Sequence, residues 1–303
     1  MAVLEVAGLR KAYGPVVAVD GVSFAVEAGE IFGIVGPNGA GKTTALECVE
    51  GLRRPDAGQI RVLGLDPQAD GPALRERIGV QLQQAALPDR LKVWEALDLF
   101  SSFYLRPADP KALLDRLGLT ASAKTPVSKL SGGQRQRAHI AMALINQPEL
   151  VFFDELTTGL DPQARRVTWD LVRDVRSEGK TVVLTTHLME EAERLCDRVA
   201  ILDHGQIVAL DTPAGLVRRY APEERLSFTA TPPCPLQVLK ALDGVTKVES
   251  EGDRITVLGT HPQLVGQVVT ALTASGVAFQ DLHTAQATLD DVFLTLTGRQ
   301  IRD

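Results

Sequence analysis

Three short runs in the chain are almost continuous in apolar side chains: "IFGIV" at 31–35, "LVFF" at 150–153 and "TVVL" at 181–184. Apolar runs of this length without alternation are the pattern of strands buried on both faces of a parallel sheet. Polar chemistry follows each of them at once, as "GPNGAGKT", "DE" and "TTH". Elsewhere the period lengthens. After "KLSGGQRQR", apolar residues recur at Ala138, Ala141, Met142, Leu144 and Ile145, which predicts a helix that stops before Pro148. "LPDRLKVWEALDLFSSFY" and "PKALLDRLGL" share that periodicity and predict a helical insert over about 86–145. Beyond residue 220, "RLSFTA", "LQVLKALDGV", "TKVES", "RITVLG", "HPQLVGQVVTALTASG" and "VAFQDLH" read as β-α-β-β-α-β. That is the order of a small ferredoxin-like sandwich. A last helix sets Leu289, Val292, Phe293 and Leu296 on one stripe.

Composition bounds this picture. A chain of 303 residues, 45% hydrophobic and 23% charged, suits a globular protein of roughly two domains. Proline-bearing "DTPAGLVRRYAPEE" and "TPPCP" mark the join, and the net charge moves there from -2 over 1–220 to -4 over 221–303. The expected domains are therefore 1–220 and 221–303. A total charge of -6 gives no reason to expect a nucleic-acid partner. Cys48, Cys196 and Cys234 are too scattered for a disulfide framework and suggest reduced thiols in a cytosolic setting. No apolar run approaches the ~18 residues of a membrane span, and "MAVLEVAGLRK" lacks a signal-peptide core. The histidines lack metal-ligand spacing.

The segment from "IFGIV" through "GPNGAGKTTALECVEG" carries the strongest chemistry. Gly36 to Thr43 match G-x-x-x-x-G-K-[ST], between a predicted strand and a helix expected to end at Gly51. In that context the backbone N–H groups of Gly36, Pro37–Ala40, Gly41, Lys42, Thr43 and Thr44, proline excepted, curl around phosphates. Lys42 reaches the β- and γ-phosphates, and the Thr43 hydroxyl ligates Mg²⁺.

Asp154 and Glu155 close the second apolar strand, at the end where parallel sheets bind ligands. Asp154 is the expected Mg²⁺ partner, directly or through water, and Glu155 the general base for water. His187 closes the third strand and is expected beside the terminal phosphate. A further anion site is expected at Ser131–Gln134. Gly132 and Gly133 are poor helix formers, yet they open a helix whose bare N–H groups attract negative charge.

Taken together, "GPNGAGKT", "LSGGQ", "LVFFDE", "GLD" at 159–161 and His187 resemble the ATP-binding cassette ATPases in order and spacing, over residues 4 to about 215. The resemblance implies a P-loop α/β cassette with an antiparallel β subdomain and a helical subdomain, followed by the α+β C-terminal domain. It implies ATP and Mg²⁺ as ligands and a homodimer, or paired cassette, joined head to tail. In that pairing Ser131, Gly132, Gly133 and Gln134 would close in trans over the partner's ATP, with Asp161 at the dimer interface. It places Tyr13 against adenine. It also assigns Gln83 to Mg²⁺ and water, with Gln81 and Gln84 as competitors for that role. One departure is Leu156, where the family usually has proline after the glutamate; leucine can take the extended conformation that proline would impose.

The ending "LDDVFLTLTG" looks like that of cassette subunits serving bacterial drug, antibiotic and lipid exporters. The resemblance therefore implies an ATPase that drives a separate integral membrane permease from the cytoplasmic face of the cell membrane. The alternative is a soluble regulatory ATPase of the same family without a permease.

Overall fold

The computed structural model describes residues 1–81, 87–230, 234 and 236–298. They divide into two compact units, one covering Met1–Pro213 and the other beginning at Ala214.

In the first unit, β1 (Ala2–Tyr13) and β2 (Val16–Glu27) form an antiparallel hairpin. β3 (Ile31–Val35) leads through the phosphate loop into α1 (Lys42–Val49), and β4 (Ala57–Val62) returns to pair with β1. A short α2 (Gly71–Arg75) precedes β5 (Ile78–Gln81). The helical insert holds α3 (Val93–Ser101), α4 (Pro110–Arg116) and α5 (Gly132–Leu144). Then β6 (Leu150–Asp154), α6 (Pro162–Ser177), β7 (Thr181–Thr186), α7 (Met189–Leu195), β8 (Arg198–Asp203) and β9 (Gln206–Asp211) alternate.

Two sheets result. One is antiparallel, in the order β2-β1-β4; the other has six strands in the order β5-β6-β7-β3-β8-β9. The first five of these are parallel, and β9 runs antiparallel to β8. One core joins the sheets. Leu4, Val22 and Phe24 of the hairpin share it with Phe32, Ile34, Phe152 and Val183, and with Ala45, Leu46 and Val49 of α1. The Phe24 and Phe32 rings stack with centroids 5.3 Å apart. Val151, Phe153, Val182 and Leu184 alternate with these core residues and are also fully buried, so they face the other side of the sheet. Burial on both faces explains the unbroken apolar runs.

Helix boundaries follow local chemistry. Asp161 opens α6 by accepting from Gln163 N and Ala164 N, with Pro162 at the first position, where its missing N–H is not needed. α5 stops at Leu144, ahead of Pro148. The Asn146 side chain there donates to the carbonyls of Arg75, Glu76 and Ile78, and Gln147 turns into the left-handed region at φ 53°.

The second unit takes in α8 (Pro213–Tyr220) from Ala214 onward. It continues with β10 (Glu224–Ala230), α9 (Leu236–Lys240), β11 (Val245–Glu251), β12 (Arg254–Gly259), α10 (Leu264–Ala274), β13 (Phe279–Ala285) and α11 (Leu289–Thr297). The sheet order β11-β12-β10-β13, antiparallel throughout, is that of a ferredoxin-like sandwich. Leu226, Phe228, Ile255, Val257, Val268 and Leu272 form its core.

Candidate functional site

β3, β6 and β7 end side by side, with Val35 opposite Thr186 and Asp154 opposite Thr185. Asp154, Glu155 and His187, expected at those ends, are thereby brought to one edge. The phosphate loop approaches the hairpin so closely at Gly41 (φ 102°) that a Cβ would stand 2.1 Å from the Ala18 carbonyl oxygen. Only glycine fits there.

Lys42 is buried, and its Nζ donates to the carbonyls of Gly36 at 2.8 Å and Pro37 at 3.0 Å. The ammonium lies 3.7 Å from Glu155 Oε1. Burial pulls the Lys42 pKa down, and the charges of Glu155 and Asp154 oppose that shift. Asp154 shows the mirror image. Burial pushes its carboxyl up, while hydrogen bonds from Thr185 and Thr43 work against the rise. Thr43 Oγ1 is 3.4 Å from Asp154 Oδ1, and Thr185 Oγ1 donates to the same oxygen.

Glu155 adopts φ 50°, in the left-handed region that non-glycine residues rarely occupy. Its N–H donates to the Thr185 carbonyl at 3.1 Å and to Thr185 Oγ1 at 3.2 Å, which holds the turn, and Thr158 Oγ1 donates to Glu155 Oε2 at 3.3 Å. Leu156 is buried. His187 Nδ1 lies 3.4 Å from Glu155 Oε1. The loop that carries it is shaped by Leu188 N donating to Thr186 Oγ1 at 3.0 Å.

Tyr13, Asn38, Gly39, Gly41, Lys42, Thr43, Thr44 and Glu155 line one open cavity. Tyr13 is 41% exposed, and the Arg53 guanidinium sits 5.2 Å from its ring centre. Gln83 lies outside the described residues. Gln81, one of its competitors, is buried at the end of β5.

Ser131 to Gln134 are elsewhere. With Asp161 and Ala164 they line a second, separate cavity between α5 and α6. Ser131 caps α5: its Oγ accepts from Gln134 N at 3.3 Å, and the Gln134 side chain accepts from Ser131 N at 3.1 Å. A Cβ at Gly133 would come within 3.0 Å of Ala164 Cβ, so glycine permits the close approach of α5 to α6.

Two threonines of the site, Thr185 and Thr158, are not among the residues that the sequence singles out. Thr185 reaches Asp154 only through the pairing of β6 with β7, and no spacing in the chain encodes that register. Thr158 stood in plain view in "DELTTGLD".

Residues 19–158 match the family model described as ABC transporter. The chain is 39% identical to the Nod factor export ATP-binding protein I of Ralstonia nicotianae, over 99% of its own length and 95% of the relative's. It belongs to the ABC transporter family, as an ATP-hydrolysing ATP-binding subunit. Daunorubicin resistance ATP-binding protein DrrA3 of Streptomyces coeruleorubidus is 38% identical, over 97% of this chain and 96% of that one. The dimeric bacterial ABC transporter cassette MJ0796 superposes with a TM-score of 0.62 at 28% identity, over 69% of this chain and 98% of that one. A post-hydrolysis state of that cassette, bound to ADP and Pi, gives the same TM-score at 27% identity. These likenesses match the α/β cassette with antiparallel and helical subdomains that the motifs imply.

Proposed function

We propose that the chain is the ATPase subunit of a bacterial exporter. Two copies would close around two Mg·ATP and drive a separate membrane permease that carries drugs, antibiotics or lipids. The observation that carries this reading is the separation of the two phosphate-binding elements. Lys42 and Glu155 line one cavity, Ser131 and Gly133 another. A single copy holds half of each site, and a second copy in head-to-tail contact completes both.

Within one half-site, Tyr13 would stack on adenine and the loop N–H groups would hold the phosphates. Lys42, already drawn toward the carboxylates, would meet the γ-phosphate. Glu155 would take the proton of the attacking water and His187 would orient that water and contact the γ-phosphate. Thr43 and Asp154 present oxygen donors 3.4 Å apart, a set that fits a hard cation such as Mg²⁺. Gln83 would join them. The bound ion would neutralise charge on the β- and γ-oxygens.

Export is supported by the relatives' names and by the length of the match, which includes the C-terminal unit. No helix among the described residues is long and apolar enough to cross a membrane. A separate permease would therefore carry the cargo, with this chain at the cytoplasmic membrane face. Trp94, Leu99, Phe103 and Leu105, on and after α3, expose 43–86% of their surface and suit a protein partner.

The test is copurification. Affinity-tagged chain extracted from detergent-solubilised membranes should bring down an integral membrane protein, and cells expressing both should accumulate less of an exported fluorescent drug. Lys42→Ala should keep the complex and lose the efflux. A chain that purifies without any membrane partner would count against the reading.

A further inference from the structure

Glu191 is a carboxylate almost sealed from water, 1% exposed. It lies in the first turn of α7, four residues beyond His187. Its Oε1 accepts two hydrogen bonds, from Thr157 Oγ1 at 2.8 Å and from Trp169 Nε1 at 2.9 Å. Both donors are themselves buried. Thr157 belongs to the turn that begins at Glu155. Trp169 belongs to α6, whose first residues are capped by Asp161. One oxygen thus ties together the loop of Glu155, the loop of His187 and the helix that borders Ser131 and Gly133.

A buried carboxylate is an expensive way to gain cohesion, because an apolar side chain would fill the same space without the cost of desolvation. Charge-assisted hydrogen bonds offer something packing does not: they fix direction as well as distance. Direction matters here. Glu155 holds a left-handed backbone conformation, and its carboxylate must stand within reach of a water that His187 also addresses. The contacts described above from Thr185 hold Glu155 on its β7 side. Beyond Glu155, the turn is fixed by Thr157 against Glu191.

We propose that Glu191 is a positioning residue for ATP hydrolysis, with its Oε1 locking the Glu155 turn to the His187 loop and to α6. The proposal rests on the reading of Glu155 as base and His187 as its partner at the γ-phosphate. Lys42, Thr43 and the phosphate loop hang from β3 and α1, whereas the two hydrogen-bond donors to Glu191 belong to the Glu155 turn and to α6. Loss of Glu191 should therefore slow turnover and spare ATP binding.

The experiment compares steady-state hydrolysis by the full chain and its variants. Glu191→Ala should lower kcat at least ~10-fold and leave KM for ATP within about twofold, as expected for misplacement of a reacting group. Glu191→Gln keeps an oxygen that can accept both hydrogen bonds and should restore most of the loss. Thr157→Val, close in shape but without the donor, should lower kcat in the same way, and should add little in the Glu191→Ala background. Wild-type kcat in Glu191→Ala would overturn the proposal. So would a Gln variant as impaired as the Ala variant, or losses that simply add. If Glu191→Ala does not fold, Thr157→Val decides alone, and wild-type turnover there overturns it. Glu155→Gln assayed alongside separates the two readings: wild-type turnover in that variant sinks the base assignment whatever Glu191 does.

Discussion

His187 Nδ1 and Glu155 Oε1 stand 3.4 Å apart at the ends of two parallel strands, and Lys42 Nζ is 3.7 Å from the same carboxylate oxygen. A carboxylate, an imidazole and an ammonium thus converge on one point beside the phosphate loop. His187→Ala should lower kcat by about 10²-fold or more, the range for a lost acid–base or water-orienting group. Binding of a fluorescent ATP analogue should stay near wild type. Unchanged turnover would remove His187 from the reaction.

Ser131 has two assignments that can be pulled apart. Its Oγ caps α5, and it is proposed to meet the partner's γ-phosphate. Ser131→Ala should cost about 1 kcal/mol through the lost cap, which in a unit of this size is a fall in Tm of about 2–4 °C. Ser131→Asn restores a good capping acceptor, and with it the Tm, but not the small hydroxyl that the phosphate would meet. Hydrolysis should stay low in both. An Asn variant with wild-type turnover would reduce Ser131 to a cap.

Glu50, at the end of α1, is 5% exposed, and both of its carboxylate oxygens are buried without a hydrogen bond. Burial pushes its pKa well above the ordinary 4.5, with the charges of Asp154 and Glu47 adding to the rise. A carboxyl raised in the folded state favours folding below its unfolded pKa, and that contribution is lost as pH rises through the folded value. Relative to Glu50→Gln, the native chain should lose up to about 1.4 kcal/mol of stability per pH unit above pH 4.5, until the folded pKa is passed. Urea titrations of both proteins from pH 4.5 to 8 measure the difference. Parallel pH profiles would show that Glu50 ionises as freely in the fold as out of it.

The cysteines should differ in reactivity. Cys48 and Cys196 are buried, and burial pushes the Cys48 thiol up to about 11. Cys234 is half-buried, with a smaller push in the same direction. A thiol reagent at pH 8 should modify Cys234 first in the native chain, and Cys48 and Cys196 only on unfolding. Mass spectrometry of the modified peptides reads the order. Early labelling of Cys48 would mean that α1 opens readily.

Much of this was legible in the chain. Unbroken apolar runs predict the parallel strands because those strands are covered on both faces, and the glycines of 36–41 predict a tight loop between strand and helix; its close approach to Ala18 is visible only in the fold. What stayed hidden depends on register and burial. Nothing in "MEEAERL" says that Glu190 is exposed while Glu191 is sealed. Their identical chemistry is sorted only by which face of α7 meets Thr157 and Trp169. The left-handed backbone of Glu155 was equally silent, since glutamate does not advertise positive φ as glycine does.

In the proposed dimer, each ATP is held by Lys42 of one copy and by Ser131 and Gly133 of another. Glu155→Gln keeps the shape of the carboxylate and removes its basicity, so Mg·ATP should persist and bridge two chains, favouring the dimer by mass action. Size-exclusion chromatography of Glu155→Gln tests this directly. A dimer is expected with Mg·ATP, none with Mg·ADP, and none with Mg·ATP once Ser131→Arg is added. Elution that ignores the nucleotide, both in the full chain and in one ending at Pro213, would contradict it.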